Sequence, residues 1–442
     1  MRDPQGSISL AGEEVIRRLY APLPSEHFLH SPLSARWVEA GQLVPFEFRD
    51  PSTVVSPRLP FVTQPPEWCD SQFFDAAKLT LTLAESALEA GFELKDGSAW
   101  NVIFDGCRPV FCDHLSLTPI EGRLWWAGGQ FARHFVVPLL LSQRRGVKAH
   151  ELLRSWRDGV PPEIARRMLG ASRFLTRSWP LIAGGQPSDA SKAGAAASAA
   201  YDPAKDASFR QRLHTSMGWM LDSVAPKEHK VPSVWRGYVD ERPQYPGDSL
   251  AAKGRCVAEW LGACQPRWVA DLGCNTGEFS RMAADAGARV LALDGDHDSI
   301  DRLYRAQRGD RRIHPLVTPL DDLQGGRGWL GREHPGLPQR ADQAFDVVMM
   351  LALVHHLAIA ASLPMRQVAE LAARWSRRHV IVELIHPDDP QVELLCSQRR
   401  RDPAEYSLDS QLQAFGDAGF EVSDRRDLAP AARTMVLLTR RS

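Results

Sequence analysis

The stretch of sequence that decides the fold runs from Trp268 to Ser280 and reads Trp-Val-Ala-Asp-Leu-Gly-Cys-Asn-Thr-Gly-Glu-Phe-Ser. An apolar segment ends near Asp271 and passes directly into a turn that contains Gly273 and Gly277. Glycine lets a backbone bend sharply and approach a ligand closely, and a helix that begins there directs its unpaired N–H groups at the same place. The stretch therefore predicts a strand, a tight turn and a helix that together bind a nucleotide-type ligand.

A second apolar run, from Arg289 to Asp294, also ends in an acid. Asp294 follows Asp271 by 23 residues. In a doubly wound fold, an acid at this spacing accepts hydrogen bonds from ribose hydroxyls. A dinucleotide site normally carries G-x-G-x-x-G, whereas this turn has two glycines and an acid before the first of them. Because that acid repels a pyrophosphate and attracts a cationic amino group, the sequence favours S-adenosylmethionine (SAM) over a dinucleotide.

These motifs resemble the class I SAM-dependent methyltransferases, whose first motif is Asp-x-Gly-x-x-x-Gly and whose second strand ends in an acid. Residues 345–357 and 379–384 are similar to the fourth and fifth strands of that family. Upstream, Trp235-Arg236-Gly237-Tyr238, Tyr245 and Lys253 resemble a nodulation-protein-related bacterial subgroup. The resemblance implies an α/β fold with a Rossmann-like, doubly wound, seven-stranded methyltransferase sheet that ends in an antiparallel hairpin.

The same resemblance implies roles for the residues of the glycine turn and of the second strand. Asp271 is expected to hold the methionine amino group, and Asp294 the ribose hydroxyls. Gly273, Asn275 and Gly277 form the turn itself. Asn275 stands where many relatives have glycine, and asparagine tolerates the left-handed backbone that such a turn needs.

The adenine contact is less sharply defined by the sequence. Proline occupies position 319, where the family usually has an acid after the third strand. Asp321 is the predicted adenine-binding residue, with Asp322 as the alternative. Capping of a turn is an equally open role for both carboxylates.

His355 and His356 follow the fourth strand, at the carboxyl edge of the sheet, where substrate and methyl donor meet. Either histidine is a candidate general base, since imidazole accepts a proton near neutral pH. The alternative is that both histidines only shape the pocket and bond to backbone groups. Glu383, at the end of the fifth strand, is a second candidate for substrate contact.

The sequence also bears on the methyl acceptor. The segment Leu351-Ala352-Leu353-Val354 replaces the Asn/Asp-Pro-Pro-Tyr/Phe box of many N-methyltransferases, which disfavours methylation of a base amino group. No Pro-Cys pair marks a cysteine nucleophile. We therefore expect transfer to an oxygen nucleophile of a small molecule or glycan, and the subgroup label implies a saccharide or a secondary metabolite. An RNA methyltransferase is an alternative, although nucleic acid is not an expected partner.

The N-terminal part carries a separate pattern, Asp96-x-x-x-x-Asn101 followed by Asp113. It resembles the catalytic loop and the metal-binding aspartate of kinase-like phosphotransferases. Leu94-Lys95 and Cys112-Asp113-His114 depart from that family's pattern, and no glycine-rich loop precedes residue 90. We expect an α+β kinase-like accessory domain over residues 1–182. The alternatives are a bifunctional protein whose first domain binds nucleotide or phosphorylates a substrate, and a non-catalytic subunit that binds the cofactor only to stabilise a partner.

Glycine, serine and alanine dominate residues 183–207, which predicts a flexible linker. The methyltransferase domain is then expected over residues 208–442. A helical pattern from Ser208 to about Val224 is expected to dock on that domain.

Composition indicates a globular enzyme of the cytoplasm. The chain has 442 residues, 44% of them hydrophobic, and a formal net charge of −1, so two or three domains without a field for nucleic acid are expected. Its seven cysteines form no C-x-x-C pair, and no apolar run is long enough for a membrane span. No metal site is expected, and no feature indicates an oligomeric state.

Overall fold

The computed structural model describes residues 5–122, 124–178, 180–181, 202–227 and 245–441. The chain divides into two compact units, Met1–Glu228 and His229–Ser442. Most of the predicted linker, residues 183–201, and the segment Trp235-Arg236-Gly237-Tyr238 lie outside the described residues.

The strands of the first unit form three small antiparallel sheets within the described residues. One has four strands in the order β1-β2-β4-β3, and the pairs β5–β8 and β6–β7 form the other two. The strands are β1 (Gly6–Ala11), β2 (Glu14–Leu19), β3 (Glu47–Asp50), β4 (Thr53–Pro57), β5 (Phe92–Leu94), β6 (Val102–Asp105), β7 (Arg108–Phe111) and β8 (Leu117–Pro119).

Helices complete the first unit, so its α+β composition agrees with the expectation. The helices are α1 (Pro32–Glu39), α2 (Asp70–Glu89), α3 (Ala127–Phe131), α4 (Val137–Arg145), α5 (Ala149–Ser155), α6 (Pro162–Leu169) and α7 (Pro203–Ser223).

Helix α7 corrects the predicted start of the methyltransferase domain at residue 208. It belongs to the first unit, which extends to Glu228. Arg210 is fully buried and pairs with Glu93 at 2.8 Å, and the His214 ring packs 4.5 Å from that of Trp125. The helix therefore docks on the N-terminal unit, because its buried side chains find their partners there.

The second unit contains one seven-stranded sheet among its described residues, in the order β11-β10-β9-β12-β13-β15-β14. Strands β9 to β13 are parallel, and β15 runs antiparallel to both β13 and β14. The strands are β9 (Trp268–Leu272), β10 (Arg289–Asp294), β11 (Ile313–Val317), β12 (Phe345–Met350), β13 (Ser376–Ile385), β14 (Phe420–Asp427) and β15 (Arg433–Arg440). This arrangement confirms the expected doubly wound methyltransferase sheet and its antiparallel hairpin.

Helices alternate with these strands, as a parallel sheet requires for its crossover connections. The apolar run Val347–Met350 in the central strand β12 is fully buried, which fits a strand covered on both faces. The helices are α8 (Ser249–Cys264), α9 (Glu278–Asp285), α10 (His297–Ala306), α11 (Leu337–Arg340), α12 (Met365–Trp375), α13 (Pro390–Arg399) and α14 (Leu408–Asp417).

The strand order reverses between β9 and β12, which lie side by side at the centre of the sheet. In open α/β sheets, ligands bind in the crevice outside the carboxyl ends of the strands at such a switch point. The fold therefore places the glycine turn after β9 and the two histidines after β12 at one crevice. None of the described helices combines the length and the apolar character that a membrane crossing needs.

Candidate active site

A cavity of about 450 Å³ opens at this crevice. Its lining joins the turn after β9 to the residues that follow β10, β11 and β12. Among the predicted residues, those that line it are Asp271, Gly273, Asn275, Asp294, Asp321 and His356. The volume falls in the ordinary range for small-molecule sites.

The glycine turn adopts the backbone that its sequence predicts. Gly273 and Gly277 have φ values of 71° and 76°, and Asn275 between them has a φ of 50°. A Cβ atom on Gly277 would lie 2.5 Å from the side chain of Leu303, so a larger residue is excluded by packing as well as by backbone conformation. Gly277 does not line the cavity but immediately precedes α9, so its part is to shape the turn.

Asp271 lies at the carboxyl end of β9 and is 2% exposed. Its Oδ2 accepts a hydrogen bond from the Ser280 hydroxyl at 2.5 Å. Burial raises the pKa of Asp271 to about 6, against the opposing effects of Ser280 and of the positive charge of Lys253. A buried carboxylate at a cavity wall is a strong site for a ligand cation, because its own ionisation is costly until a positive group arrives.

Asp294 connects the two turns beside the cavity. Its Oδ2 accepts a hydrogen bond from the Asn275 backbone N–H and its Oδ1 from that of Asp296, both at 2.8 Å. Burial raises the pKa of Asp294 to about 6, although these backbone donors oppose the shift. The sequence predicted a ribose-binding acid here, and the structure adds that the same carboxylate fixes the glycine turn.

The predicted adenine edge is formed by residues after β11. Pro319, Leu320 and Asp321 line the cavity, and the Asp321 side chain is exposed. Asp296 also lines the cavity, where it caps α10 by accepting from Ser299 and Asp298. No role was predicted for Asp296 from the sequence, although an acid just before a helix usually indicates an N-terminal cap.

The two predicted histidines occupy different environments although their ring centroids are 4.0 Å apart. His356 lines the cavity, whereas His355 is 3% exposed and lies behind it. Burial and the charge of Arg433 lower the pKa of His356 to about 4, and burial, with His356 adding to it, holds the pKa of His355 well below its usual value. Both rings are therefore neutral at pH 7. A short π-helical segment, His356–Ala360, begins at the second histidine.

Glu383 is fully buried at the end of β13 and does not line the cavity. Its Oε1 accepts from Tyr245 Oη at 2.6 Å and from Arg433 Nη1 at 3.1 Å, and its Oε2 lies 2.6 Å from Lys253 Nζ. Although burial acts to raise the pKa of Glu383, Lys253 and Arg433 hold it below its usual value. Glu383 is thus an internal anchor, which argues against the predicted direct contact with substrate.

Tyr245 and Lys253 are the side chains that this anchor presents at the cavity wall. Sequence reasoning noted both as part of the family resemblance but gave them no role. Burial, followed by the charge of Glu383, raises the pKa of Tyr245, so the phenol keeps its proton and donates it to Glu383. The only signal in the sequence was their position just before the glycine turn.

The N-terminal pattern also comes together in space. Hairpin β6–β7 returns the chain so that Cys112 N donates to Asn101 O at 2.8 Å, while Asn101 Nδ2 donates to Asp96 O at 3.2 Å. Asp113 Oδ1 lies 3.4 Å from Arg17 Nη2, and Asp96 Oδ1 accepts from Ser98 N at 2.9 Å. Across the described ranges, no group of three or more His, Cys, Asp or Glu side chains is arranged to hold a metal ion.

No family model matches the chain. It is 28% identical to nodulation protein NoeA of Rhizobium meliloti (strain 1021), over all of this chain and 95% of that protein. It is 37% identical to the cypemycin N-terminal methyltransferase of a Streptomyces species, over 23% of this chain and 36% of that protein.

Part of this chain is similar in fold to solved structures that include the following two. Magnesium protoporphyrin IX methyltransferase of Synechocystis PCC 6803 with bound SAH is 17% identical and has a TM-score of 0.34, over 46% of this chain and 94% of that one. N-methyltransferase NodS of Bradyrhizobium japonicum WM9 is 11% identical and has a TM-score of 0.33, over 45% and 99%.

The residues that line the cavity fit SAM. Two carboxylates, the buried Asp271 and the half-buried Asp294, stand where a cationic amino group and ribose hydroxyls need acceptors. The turn between them has the left-handed backbone that brings the main chain close to a ligand. The strand order, the Asp-x-Gly-x-x-x-Gly turn and this pair of acids agree with one conclusion: the protein is a SAM-dependent methyltransferase, an enzyme that takes SAM as its cofactor.

Proposed function

We propose that the enzyme transfers the methyl group to an oxygen nucleophile of a small molecule or glycan. The observation that carries this proposal is His356, a neutral imidazole at the cavity wall directly after the central strand β12. A neutral imidazole accepts a hydrogen bond, and then a proton, from a hydroxyl group. An amine nucleophile already has its lone pair when it is deprotonated and has less need of such a group.

When bound, SAM supplies a methyl group on a positively charged sulfur, which a nucleophile displaces in line. In this proposal Asp271 holds the amino group, Asp294 the ribose and Asp321 the adenine edge. His356 orients the acceptor hydroxyl and takes up its proton. His355 packs against His356 and, in this proposal, fixes the plane of its ring.

The acceptor side of the cavity supports a small acceptor. Leu353, Leu357, Ala360 and Ala361 line the wall around His356, and none of them carries a charge. An RNA backbone would be favoured by clustered basic side chains, and Lys253 is the one lysine or arginine among the described residues that line the cavity. These features favour a small neutral acceptor over RNA.

The test is to incubate the purified full chain with SAM labelled in its methyl group and with fractionated cell extract. The labelled product is then isolated, and the atom that carries the methyl group is identified by NMR. We expect label on oxygen in a low-molecular-weight or saccharide fraction. Label on nitrogen or carbon would contradict the proposed chemistry, and label that ribonuclease releases would favour the RNA alternative.

We propose that the first unit is a kinase-like accessory domain that selects substrate or supports the fold and does not transfer phosphate. Hairpin β6–β7 bonds the backbone of Cys112, next to Asp113, to that of Asn101, whose side chain bonds to the backbone of Asp96, and this proximity supports the kinase-like assignment. The ion pair of Arg17 with Asp113 and the turn bond of Asp96 support the loss of phosphotransfer, because both carboxylates already have partners. Magnesium-dependent ATP turnover that disappears in Asp113→Ala would favour the bifunctional alternative.

A further inference from the structure

A second cavity, which we call the α2–α7 cleft, lies between helices α2 and α7 of the first unit. Its volume is about 710 Å³, which is within the ordinary range for small-molecule sites. None of the described residues that line it is a lysine or an arginine. Its polar lining consists of Glu85 and Glu89 from α2 and of Ser208, Gln211, His214 and Thr215 from α7. The cleft therefore carries negative charge and is rich in hydrogen-bond acceptors.

Glu85 and Glu89 lie four residues apart on α2, so their side chains are neighbours on one face of the helix. Glu89 is the last residue of α2, where the helix dipole disfavours a negative charge and where the last turn has no basic residue. The loss of water around Glu85, with the charge of Glu89 adding to it, raises the pKa of Glu85 against the opposing charge of Lys78. Lys78 itself pairs with Asp222 at 2.6 Å, and among the described residues neither glutamate has an ion-pair or hydrogen-bond partner for its carboxylate.

His214 is the buried polar residue of the cleft, and it is 2% exposed. Within the part of the chain that the structure describes, neither of its ring nitrogens has a hydrogen-bond partner. Burial, with the charge of Arg210 adding to it, lowers the pKa of His214 to about 4, so the ring is neutral at pH 7. A neutral imidazole has one nitrogen that accepts a hydrogen bond, and buried polar groups usually have partners. A ligand with N–H groups would supply the partner that His214 lacks.

The residues of the cleft fit an organic cation better than a metal ion. The described residues contain no group of three or more His, Cys, Asp or Glu side chains arranged to hold a metal. An ammonium group combines a positive charge with several N–H donors, so it matches both a carboxylate and a neutral imidazole. We propose that the α2–α7 cleft binds an aliphatic diamine or polyamine, whose ammonium groups are held by Glu85, Glu89 and His214. This site lies in the first unit and does not depend on the assignment of methyl transfer to the second.

Calorimetric titration of the full chain with spermidine at low ionic strength tests this proposal. Glu85→Gln and Glu89→Gln are each expected to weaken spermidine binding about fivefold, the effect of losing one exposed ion pair. Glu163→Gln is the matched control, because it removes the same charge from an exposed position on α6 of the same unit. This control is expected to bind spermidine as the wild type does. The monoamine 1-aminobutane is expected to bind the wild type about fivefold more weakly than spermidine, because it can neutralise only one of the two glutamates.

A wild-type protein that does not bind spermidine would overturn the proposal. So would equal losses of affinity in Glu163→Gln and in the two cleft variants, since these would show attraction to negative charge in general. Binding of Mg²⁺ in preference to spermidine would overturn the choice of an organic cation. Thermal unfolding checks that the cleft variants fold, and Glu85→Gln is expected to raise the midpoint by about 1 °C, because it removes the repulsion from Glu89.

The role of His214 has its own test. His214→Phe keeps a ring to pack on Trp125, whose centroid is 4.5 Å from that of His214, and removes the acceptor nitrogen. This variant is expected to bind spermidine about fivefold more weakly, and an unchanged affinity would overturn the acceptor role of His214. If His214→Phe does not fold, the decision on the site passes to Glu85→Gln and Glu89→Gln, which change exposed side chains only.

Discussion

Two regions of this chain place aspartates next to turns at strand ends, and their environments differ. At the ends of β9 and β10, Asp271 is buried and Asp294 half-buried at the wall of a cavity, and the pKa of each is raised to about 6. In the first unit, Asp113 pairs with Arg17, and Asp96 accepts from the backbone of its own turn.

The difference shows how similar motifs lead to different chemistry. Asp271 and Asp294 also have hydrogen-bond partners, but they line an open cavity where a ligand can reach them, whereas Asp113 is paired with Arg17 and neither Asp113 nor Asp96 lines this cavity. The spacing of the acids alone did not separate these cases. The surroundings of the acids distinguish the two regions, and substitutions made in both regions can test the distinction.

The largest expected effect comes from neutralising one carboxylate in each region, Asp271 in the second unit and Asp113 in the first. Asp271→Asn is expected to weaken SAM binding about 1000-fold, because breaking a buried charge pair costs about 4 kcal/mol. Asp113→Asn, the matched change in the first unit, is expected to leave SAM binding unchanged. Calorimetry on both variants checks this, and similar losses in the two would remove the contrast between the regions.

His356→Ala is expected to lower kcat about 100-fold, as for loss of a general base, and to change the affinity for SAM little. His355→Ala is expected to act mainly on stability, since deleting a buried ring leaves a void that costs about 2 kcal/mol. Single-turnover rates and thermal unfolding of both variants separate the two roles. A larger loss of rate in His355→Ala than in His356→Ala would show that His356 is not the base.

Asp294→Ala and Asp96→Ala both remove a carboxylate that bonds to the backbone of a turn. Asp294→Ala is expected to weaken SAM binding about 30-fold, because it removes the proposed ribose acceptor, one bond to the glycine turn at Asn275 and one bond to the next turn at Asp296. Asp96→Ala is expected to cost about 1 kcal/mol of stability with methyl transfer unaffected. Equal affinities for SAM in the two variants would count against the ribose contact.

The pH dependence of SAM affinity should follow the ionisation of the carboxyl groups of Asp271 and Asp294. Since their folded pKa values are about 6, above the ordinary range, affinity is expected to rise about tenfold from pH 5 to pH 7 as a carboxylate forms. The free energy of unfolding of the ligand-free protein should decrease as the pH rises from about 4 to about 6, because the folded state binds more protons in this range than the unfolded state. Calorimetry checks the expected rise of SAM affinity with pH, and chemical denaturation checks the expected fall of stability. An affinity that does not change with pH would mean that neither carboxylate contacts the cofactor.

Much of the second unit could be predicted from its sequence. The apolar runs that end at or near Asp271 and Asp294 form β9 and β10 as predicted, because an apolar run that ends at an acid or a glycine is a strong local signal. The glycine turn and both acids were predicted for the same reason. The contact of Tyr245 and Lys253 with Glu383 was not, since Glu383 is more than a hundred residues away in the sequence and meets them only in the folded unit.

Two features could not be predicted from the sequence for the same reason, namely the unit on which α7 packs and the different positions of the two histidines. The pattern of α7 predicted a helix but could not show which core it packs on, and that depends on Glu93 and Trp125, more than eighty residues away. Likewise, the sequence does not show which of the two adjacent histidines, His355 or His356, lines the cavity. The backbone after β12 turns only one of them toward the cavity.

The docking of α7 has a practical consequence for anyone who wishes to study the halves separately. A recombinant methyltransferase fragment that starts at residue 208 would carry away a helix whose Arg210 guanidinium is completely shielded from solvent in the intact chain. Both pieces would suffer, because the donor would lose Glu93 and the N-terminal half would expose the surface that the helix covers. Cleavage sites or expression boundaries placed beyond Glu228 leave that helix with the half to which it belongs.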